Sequence, residues 1–292
     1  WYTAATSAPD NTWQDVIWVN DPGPGAFFLA VGSSGTGTRI MQSQQGTTWS
    51  TSGFTGFSDS IWNCIIFVPE LKKFVACGNA GAFAYSSDGF AWTSSTYSTN
   101  NWRSVCYSPE LALFVMVTSS TSNSPIATSP DGVTWTGRLL GTNDGTWQWV
   151  CWSPEVGRFV AVGSGGTGNR VMTSTDGITW TRGTSAADNA WSNIIWCAEL
   201  GIFVASTYSV TTTGQHIMTS PDGLAWTIRT TPTGTWRKMA FGAEVGLIFA
   251  VSSDGQVMTS GDGINWTTKT AASANDWRGL CWSRETCSFV AV

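Results

Sequence analysis

The residues able to do acid–base, nucleophilic or metal chemistry are few, and most of them recur. One histidine, His216, stands in the 292-residue chain, so Ser-His-Asp or Cys-His catalysis would have to run through it. It occupies a position that Arg39 and Arg170 fill in related segments, which marks it as part of a repeat. A Cys/His metal site needs several ligands, and the chain has neither a second histidine nor a Cys-x-x-Cys pair. No catalytic residue, no metal and no cofactor is expected. Among the 19 acidic residues, Asp88, Asp131, Asp176, Asp222 and Asp262 share one motif, and Glu70, Glu110, Glu155, Glu199, Glu244 and Glu285 share one turn position. Residues repeated in this way read as structural parts. Asp10, Asp59, Asp144 and Asp188 each precede a Trp by three residues. They read as Asx-type turns, or as an acidic rim for a cation or sugar hydroxyls. A glycosidase needs two carboxyls roughly 5–10 Å apart, and the sequence singles out no such pair.

Three of the seven cysteines, Cys106, Cys151 and Cys281, share a position filled elsewhere by Ile17, Ile66, Ile195 and Ala240. That is the pattern of a small buried hydrophobe. Cys64 and Cys77 face each other across an expected hairpin, which leaves a disulfide open. The odd, core-placed set suggests assembly in a reducing compartment, compatible with later release. The glycine-rich strings Gly32–Gly37 and Gly163–Gly168 join two strands with no helix and no Lys after them, so they are not phosphate loops.

The elements that position these residues follow from composition and from an internal repeat. Only 11% of residues are charged and the net charge is −5. Hydrophobic residues make up 42%, with 19 Trp and 32 Gly. Such a chain has enough apolar surface to offset chain entropy, so it is not disordered. An acidic chain with 14 Lys+Arg is poorly suited to nucleic acid. It holds no apolar run of about 18 residues, so no membrane insertion is expected. It opens on Trp1 without a basic-then-apolar leader and reads as part of a longer chain, through which it could oligomerise.

A Trp followed by x-x-apolar-small-aromatic begins at Trp13, Trp62, Trp102, Trp147, Trp191, Trp236 and Trp277, at intervals of 49, 40, 45, 44, 45 and 41 residues. That period matches one four-stranded propeller blade. A second signature, Ser-x-Asp-Gly-x-x-Trp, occurs at 86–92, 129–135, 174–180, 220–226 and 260–266, with a degraded copy at 43–49. Each repeat reads as four short strands, A to D, bounded by Pro, Gly and Asp-Gly turns, with essentially no helix. The expectation is one all-β domain over 1–292: a β-propeller of seven four-stranded blades, the last one closed by residues 1–6. Only Trp149 lies outside the register of repeated tryptophans.

The Ser-x-Asp-Gly-x-x-Trp element resembles the Asp box of sialidase-type (BNR) propellers, Ser/Thr-x-Asp-x-Gly-x-Thr-Trp, shortened by one residue. The resemblance covers nearly the whole chain. It implies that Asp88, Asp131, Asp176, Asp222 and Asp262 accept backbone N–H bonds across a turn while the Trp plugs the sheet. Sialidase activity itself lacks support: the family's Arg-Ile-Pro motif is missing, and Arg39-Ile-Met41 belongs to the repeat. WD40 and Kelch signatures are absent as well, since His216 and Gly165-Gly166 are single occurrences.

Function should sit where repeats differ, in the B–C loops (32–38, 78–82, 118–124, 163–169, 206–215, 252–255) and the D–A loops (notably 50–61 and 136–146), which emerge on one face. The candidate ligand contacts are Arg39, Arg170, His216, Arg138, Arg182, Tyr97 and Tyr208, with Phe54 and Phe57 as further loop aromatics. The leading expectation is a non-catalytic binding or adhesion propeller that takes a glycan or protein, extracellular, on a cell surface or on a virion. The alternatives are an Asp-box glycoside hydrolase and a purely structural assembly scaffold.

Overall fold

A computed structural model describes residues 11–21, 25–37, 39–140, 146–209, 213–271 and 273–292. Among them every extended element is a short strand, and the only helices are single 3-10 turns such as Pro69–Leu71 and Ala198–Leu200. The sheets are antiparallel and consecutive in sequence. Their A strands are Trp13–Asp21, Trp62–Val68, Trp102–Ser108, Trp147–Ser153, Trp191–Cys197, Trp236–Gly242 and Leu280–Ser283. Each A strand packs against the A strands of the sheets before and after it, and the last packs on the first. The result is a closed ring with the A strands innermost: a β-propeller.

The burial pattern explains why each strand takes its place. The B strands, such as Arg158–Gly163, are continuous apolar runs and are buried on both faces. The C strands, such as Val171–Ser174, are fully buried. The D strands, such as Thr181–Gly183, are polar and partly exposed, as an outermost strand must be. Trp62, Trp102, Trp147, Trp191 and Trp236 are among the largest fully buried side chains. Each apolar cluster draws on neighbouring sheets, so the core is the set of spaces between them.

Seven four-stranded blades is not what forms. Five sheets have four strands, the first has three, and the last is the two-stranded hairpin Leu280–Ser283 with Ser288–Ala291. Six sheets are therefore built as blades, and the hairpin fills the remaining sector of the ring. The Trp signature counts A strands, which is why it overcounts blades: after Trp277 the sequence supplies an A and a B strand and ends. In the first sheet the fourth strand shrinks to one bridge, Gln42 with Ser50. There Gln45 stands where the other copies have Asp, so the turn lacks the carboxylate that organises the hairpin. The expected closing strand, residues 1–6, lies outside the described residues.

The Asp-Gly turns are built as their residues suggest. In the fourth sheet the Ser174 hydroxyl donates to Asp176 Oδ1 (2.9 Å) and accepts from Gly177 N (2.8 Å). Asp176 Oδ1 also accepts from Ile178 N and Thr179 N, and Trp180 Nε1 donates to the Gly177 carbonyl (2.9 Å). Gly177 needs its φ of +71°, and a Cβ there would sit 2.7 Å from Leu113 of the preceding sheet. Cys64 and Cys77 do face each other across their hairpin, as free thiols.

Candidate functional site

Six A strands carry the same backbone irregularity. The register with strand B shifts between the first and third residues, at Trp13/Asp15, Trp62/Cys64, Trp102/Ser104, Trp147/Trp149, Trp191/Asn193 and Trp236/Lys238. A bulge re-aims the side chain at which it falls. Here that residue is Gln14, Asn63, Arg103, Gln148, Ser192 or Arg237. All six, together with Arg278 of the seventh sector, line one cavity of about 220 Å³ at the centre of the ring. Ser33, Asn79 and Tyr208 of the B–C loops and Ile61 of a D–A loop complete its rim, so it opens on the variable loop face.

The floor of this mouth is a charged partition. The third residues of the A strands point inward, and two of them pair: Lys238 Nζ lies 2.9 Å from Asp15 Oδ1, and both residues are buried. Asp15 is held by Ile65 N (3.1 Å) and Val16 N (3.1 Å). Lys238 Nζ also lies 3.3 Å from the centre of the Trp149 ring, a cation–π contact. The one tryptophan outside the repeat register is thus the channel plug. Below it the channel widens into an open recess of about 600 Å³ whose largely apolar walls include Ile66, Cys106, Cys151, Ile195 and Cys281.

The mouth above the partition is cationic. Arg103, Arg237, Lys238 and Arg278 line it, and among the described residues no Asp or Glu does. Arg278 is paired with Asp276 (2.6 Å), and Lys238 with Asp15. Burial lowers the affinity of the Arg103 guanidinium for its proton, and the nearby Arg237 and Arg278 charges act in the same direction. Arg237 is lowered likewise, by burial and then by Arg278. The Arg237 guanidinium lies 4.6 Å from the Tyr208 ring, and its Nε is buried without a hydrogen-bond partner among the described residues.

Of the residues expected from the sequence to contact a ligand, Tyr208 reaches this mouth. Arg39 and Arg170 hold their own loops instead: Arg39 Nε donates to the Gly35 carbonyl and lies 3.9 Å from Asp59, and Arg170 repeats this with Gly166 and Asp188 (3.8 Å). The Asp59 and Asp188 carboxylates also accept from Gly37 N and Gly168 N, joining D–A loop to B–C loop. His216 is buried with Nδ1 3.1 Å from Thr231 Oγ1, and burial pushes its proton affinity below the usual histidine range. Arg138 Nε donates to Thr128 Oγ1 within its blade (2.8 Å), and Arg182 sits on an outer strand opposite Met172. Tyr97 stacks on Trp102 and Phe54 on Phe90, while Phe57 packs tilted against Trp62. The three channel arginines lie outside the loops where the sequence places function. Their signal was a Trp-Arg pair at the start of the A signature in three repeats: Trp102-Arg103, Trp236-Arg237 and Trp277-Arg278.

No protein-family model matches the chain, and no curated protein sequence does. Its fold does have solved counterparts. It is similar to virginiamycin B lyase from Staphylococcus aureus, with a TM-score of 0.78 at 10% identity, over 97% of this chain and 95% of that one. A streptogramin B lyase superposes with a TM-score of 0.77 at 10% identity, covering 97% and 94%. The WD40 propeller domain of Doa1 gives 0.71 at 12% identity, covering 99% and 93%. At these identities the likeness concerns the propeller fold alone.

Proposed function

We propose that this chain is a non-catalytic recognition propeller of a secreted, cell-surface or virion protein, and that it takes a glycan in the central mouth of its loop face. The observation that carries this reading is the convergence of six bulged A-strand residues and three B–C loops on one polar cavity. A wall of amides and hydroxyls suits sugar hydroxyls. The Gln14 and Gln148 amides donate to Ser33 Oγ (2.8 Å) and Ser164 Oγ (3.0 Å), so their carbonyl oxygens are what they offer a ligand. Among the described residues the mouth is lined by amides, hydroxyls and cations rather than by a carboxylate pair of the kind glycoside hydrolysis uses. Kinship with Asp-box propellers rests on the turn motif, whose hydrogen bonds recur from sheet to sheet.

A glycan array tests the proposal, read with alanine variants of Tyr208, Asn79 and Ser33 and, as controls, of Glu70 and Glu199 on the opposite face. Binding lost in the first set and kept in the second is the expected result. Binding that survives all the loop-face changes would exclude this face.

A further inference from the structure

Four of the 14 Lys+Arg of a chain with net charge −5 line one small cavity. Two of them are answered by carboxylates, Lys238 by Asp15 and Arg278 by Asp276. Arg103 and Arg237 have no carboxylate partner among the described residues. Arg103 donates to the neutral Asn63 side chain (3.2 Å), and Arg237 packs on Tyr208 with its Nε buried and unpaired. Two positive charges therefore face the same space and repel each other, and the nearest carboxylate acting on Arg237, Asp276, is bound to Arg278. A bound oxyanion removes that repulsion and accepts from the guanidinium N–H groups that face the cavity.

We infer that Arg103 and Arg237 form an anion subsite for a doubly charged oxyanion, a phosphate monoester on a small polyhydroxylated body. The charge count points to the dianion, since two guanidiniums with no carboxylate in contact match two negative charges. Guanidiniums suit the group because their forked N–H donors bind phosphate oxygens in pairs. The cavity of about 220 Å³ has room for one sugar unit, and the Gln14, Gln148, Asn79 and Ser192 side chains on its wall are hydroxyl partners. The Lys238–Asp15–Trp149 floor stops the ligand from passing down the channel. This rests on the proposed reading of the loop face as a recognition site and names the chemistry that the site selects.

Isothermal titration calorimetry on the whole chain tests it with four probes: glucose 6-phosphate, inorganic phosphate, glucuronate and glucose. Glucose 6-phosphate should bind at least ~10-fold more tightly than each of the others, because only it combines a dianion with a sugar body. Arg103→Gln and Arg237→Gln should each weaken it at least ~10-fold. Arg237→Lys, which keeps the charge but loses the fork, should weaken it too. Should a variant not fold, a salt titration of the unmodified protein decides: affinity must fall steeply with ionic strength. Equal binding of glucose and glucose 6-phosphate, or indifference to both arginine changes, overturns the subsite. Equal binding of inorganic phosphate and glucose 6-phosphate overturns the sugar body. If loop-face variants abolish array binding while Arg103→Gln leaves it intact, the recognition reading stands and this inference falls.

Discussion

Glu285, in the turn of the last hairpin, accepts a hydrogen bond from the indole N–H of Trp18 in the first sheet, 267 residues earlier in the chain. Asn20 donates to the same carboxylate. The bond is the ring-closing copy of a repeated device: Trp152 donates to Glu110 (2.8 Å), Trp196 to Glu155 (2.6 Å) and Trp282 to Glu244 (2.7 Å). The sixth residue of an A strand thus clasps the A–B turn of the sheet before it, and the turn glutamates are the other half of the clasp. Sheets whose sixth residue is Phe67 or Phe241 have no donor to offer.

Replacing one clasp should therefore cost little, and replacing the closing one should cost more. Trp196→Phe removes one charge-assisted bond and some apolar area, and should lower stability by about 1–2 kcal/mol in urea unfolding. Glu285→Ala removes the acceptor of two donors where the last hairpin meets the first sheet, and should destabilise more than Glu155→Ala. Equal midpoints for the two Glu variants would show that the closing clasp has no special weight.

The channel partition makes a sharper prediction. Lys238→Met leaves Asp15 charged and buried, so it should cost about 3–5 kcal/mol. The double variant Asp15→Asn with Lys238→Met removes both charges and should recover most of that loss. Trp149→Ala should cost the cation–π contact, about 0.5–2 kcal/mol, together with the ring's packing. A double-mutant cycle on thermal unfolding reads the coupling, and additive losses at positions 15 and 238 would contradict the pairing.

Much of this architecture could be read from recurring residues. The tryptophans at blade-sized intervals gave the A strands because each fills the same buried site, and Ser-x-Asp-Gly-x-x-Trp gave the C–D turns because each residue has one job there. The blade number was misread because Trp277 opens an A strand whose sheet stops at a hairpin, and because Gln45 replaces the carboxylate that folds the fourth strand back. The loop face was visible in the variability of its loops. The residues at its centre were not, because a bulge is a backbone irregularity with no residue signature of its own. Gln14, Arg103 and Arg237 looked like ordinary second residues of alternating strands until the register shift turned them into the mouth. Arg39 and Arg170 misled for the opposite reason: their charge is absorbed by loop carbonyls and by Asp59 and Asp188.

The five Asp-Gly turns should make the fold acid-sensitive in a defined window. Partial burial is the largest influence at Asp88, Asp131, Asp176 and Asp262 and works to raise them, but the turn N–H and hydroxyl donors together outweigh it. At Asp222 the Leu224 N–H leads, and the carboxyl is again lowered. Asp131 and Asp262 are held down to about 2. An unfolded Asp titrates near ~3.9. A carboxyl lowered on folding contributes stability that is fully present above the unfolded value and is lost as pH falls through the folded one. The thermal midpoint should therefore fall between about pH 4 and pH 2, and Asp131→Asn with Asp262→Asn should flatten that slope while lowering the midpoint at pH 7. An unchanged slope in the double variant would place the acid transition elsewhere.

The thiols offer a last test, of the channel's two halves. Cys287 is the one exposed cysteine among the seven, on a turn of the last hairpin. Cys64, Cys77 and Cys197 are buried. Cys106, Cys151 and Cys281 are half-buried and line the open, apolar recess beneath the Trp149 plug, where desolvation pushes each thiol well above its ordinary range and holds it protonated. The thiolate is the reactive form, and a doubly charged disulfide reagent does not enter an apolar recess without losing its hydration. Ellman's reagent at pH 7.5 should therefore titrate one thiol per folded chain rapidly and seven after unfolding in guanidinium. Cys287→Ser should abolish the fast phase, while N-ethylmaleimide, small and neutral, should add a slow second phase at the recess cysteines. Trp149→Ala, which opens the recess to the polar mouth, should speed that slow phase. A fast phase of three or four thiols in the unmodified protein would mean that the charged reagent enters the apolar recess from its open end and that thiol protonation does not protect the cysteines there.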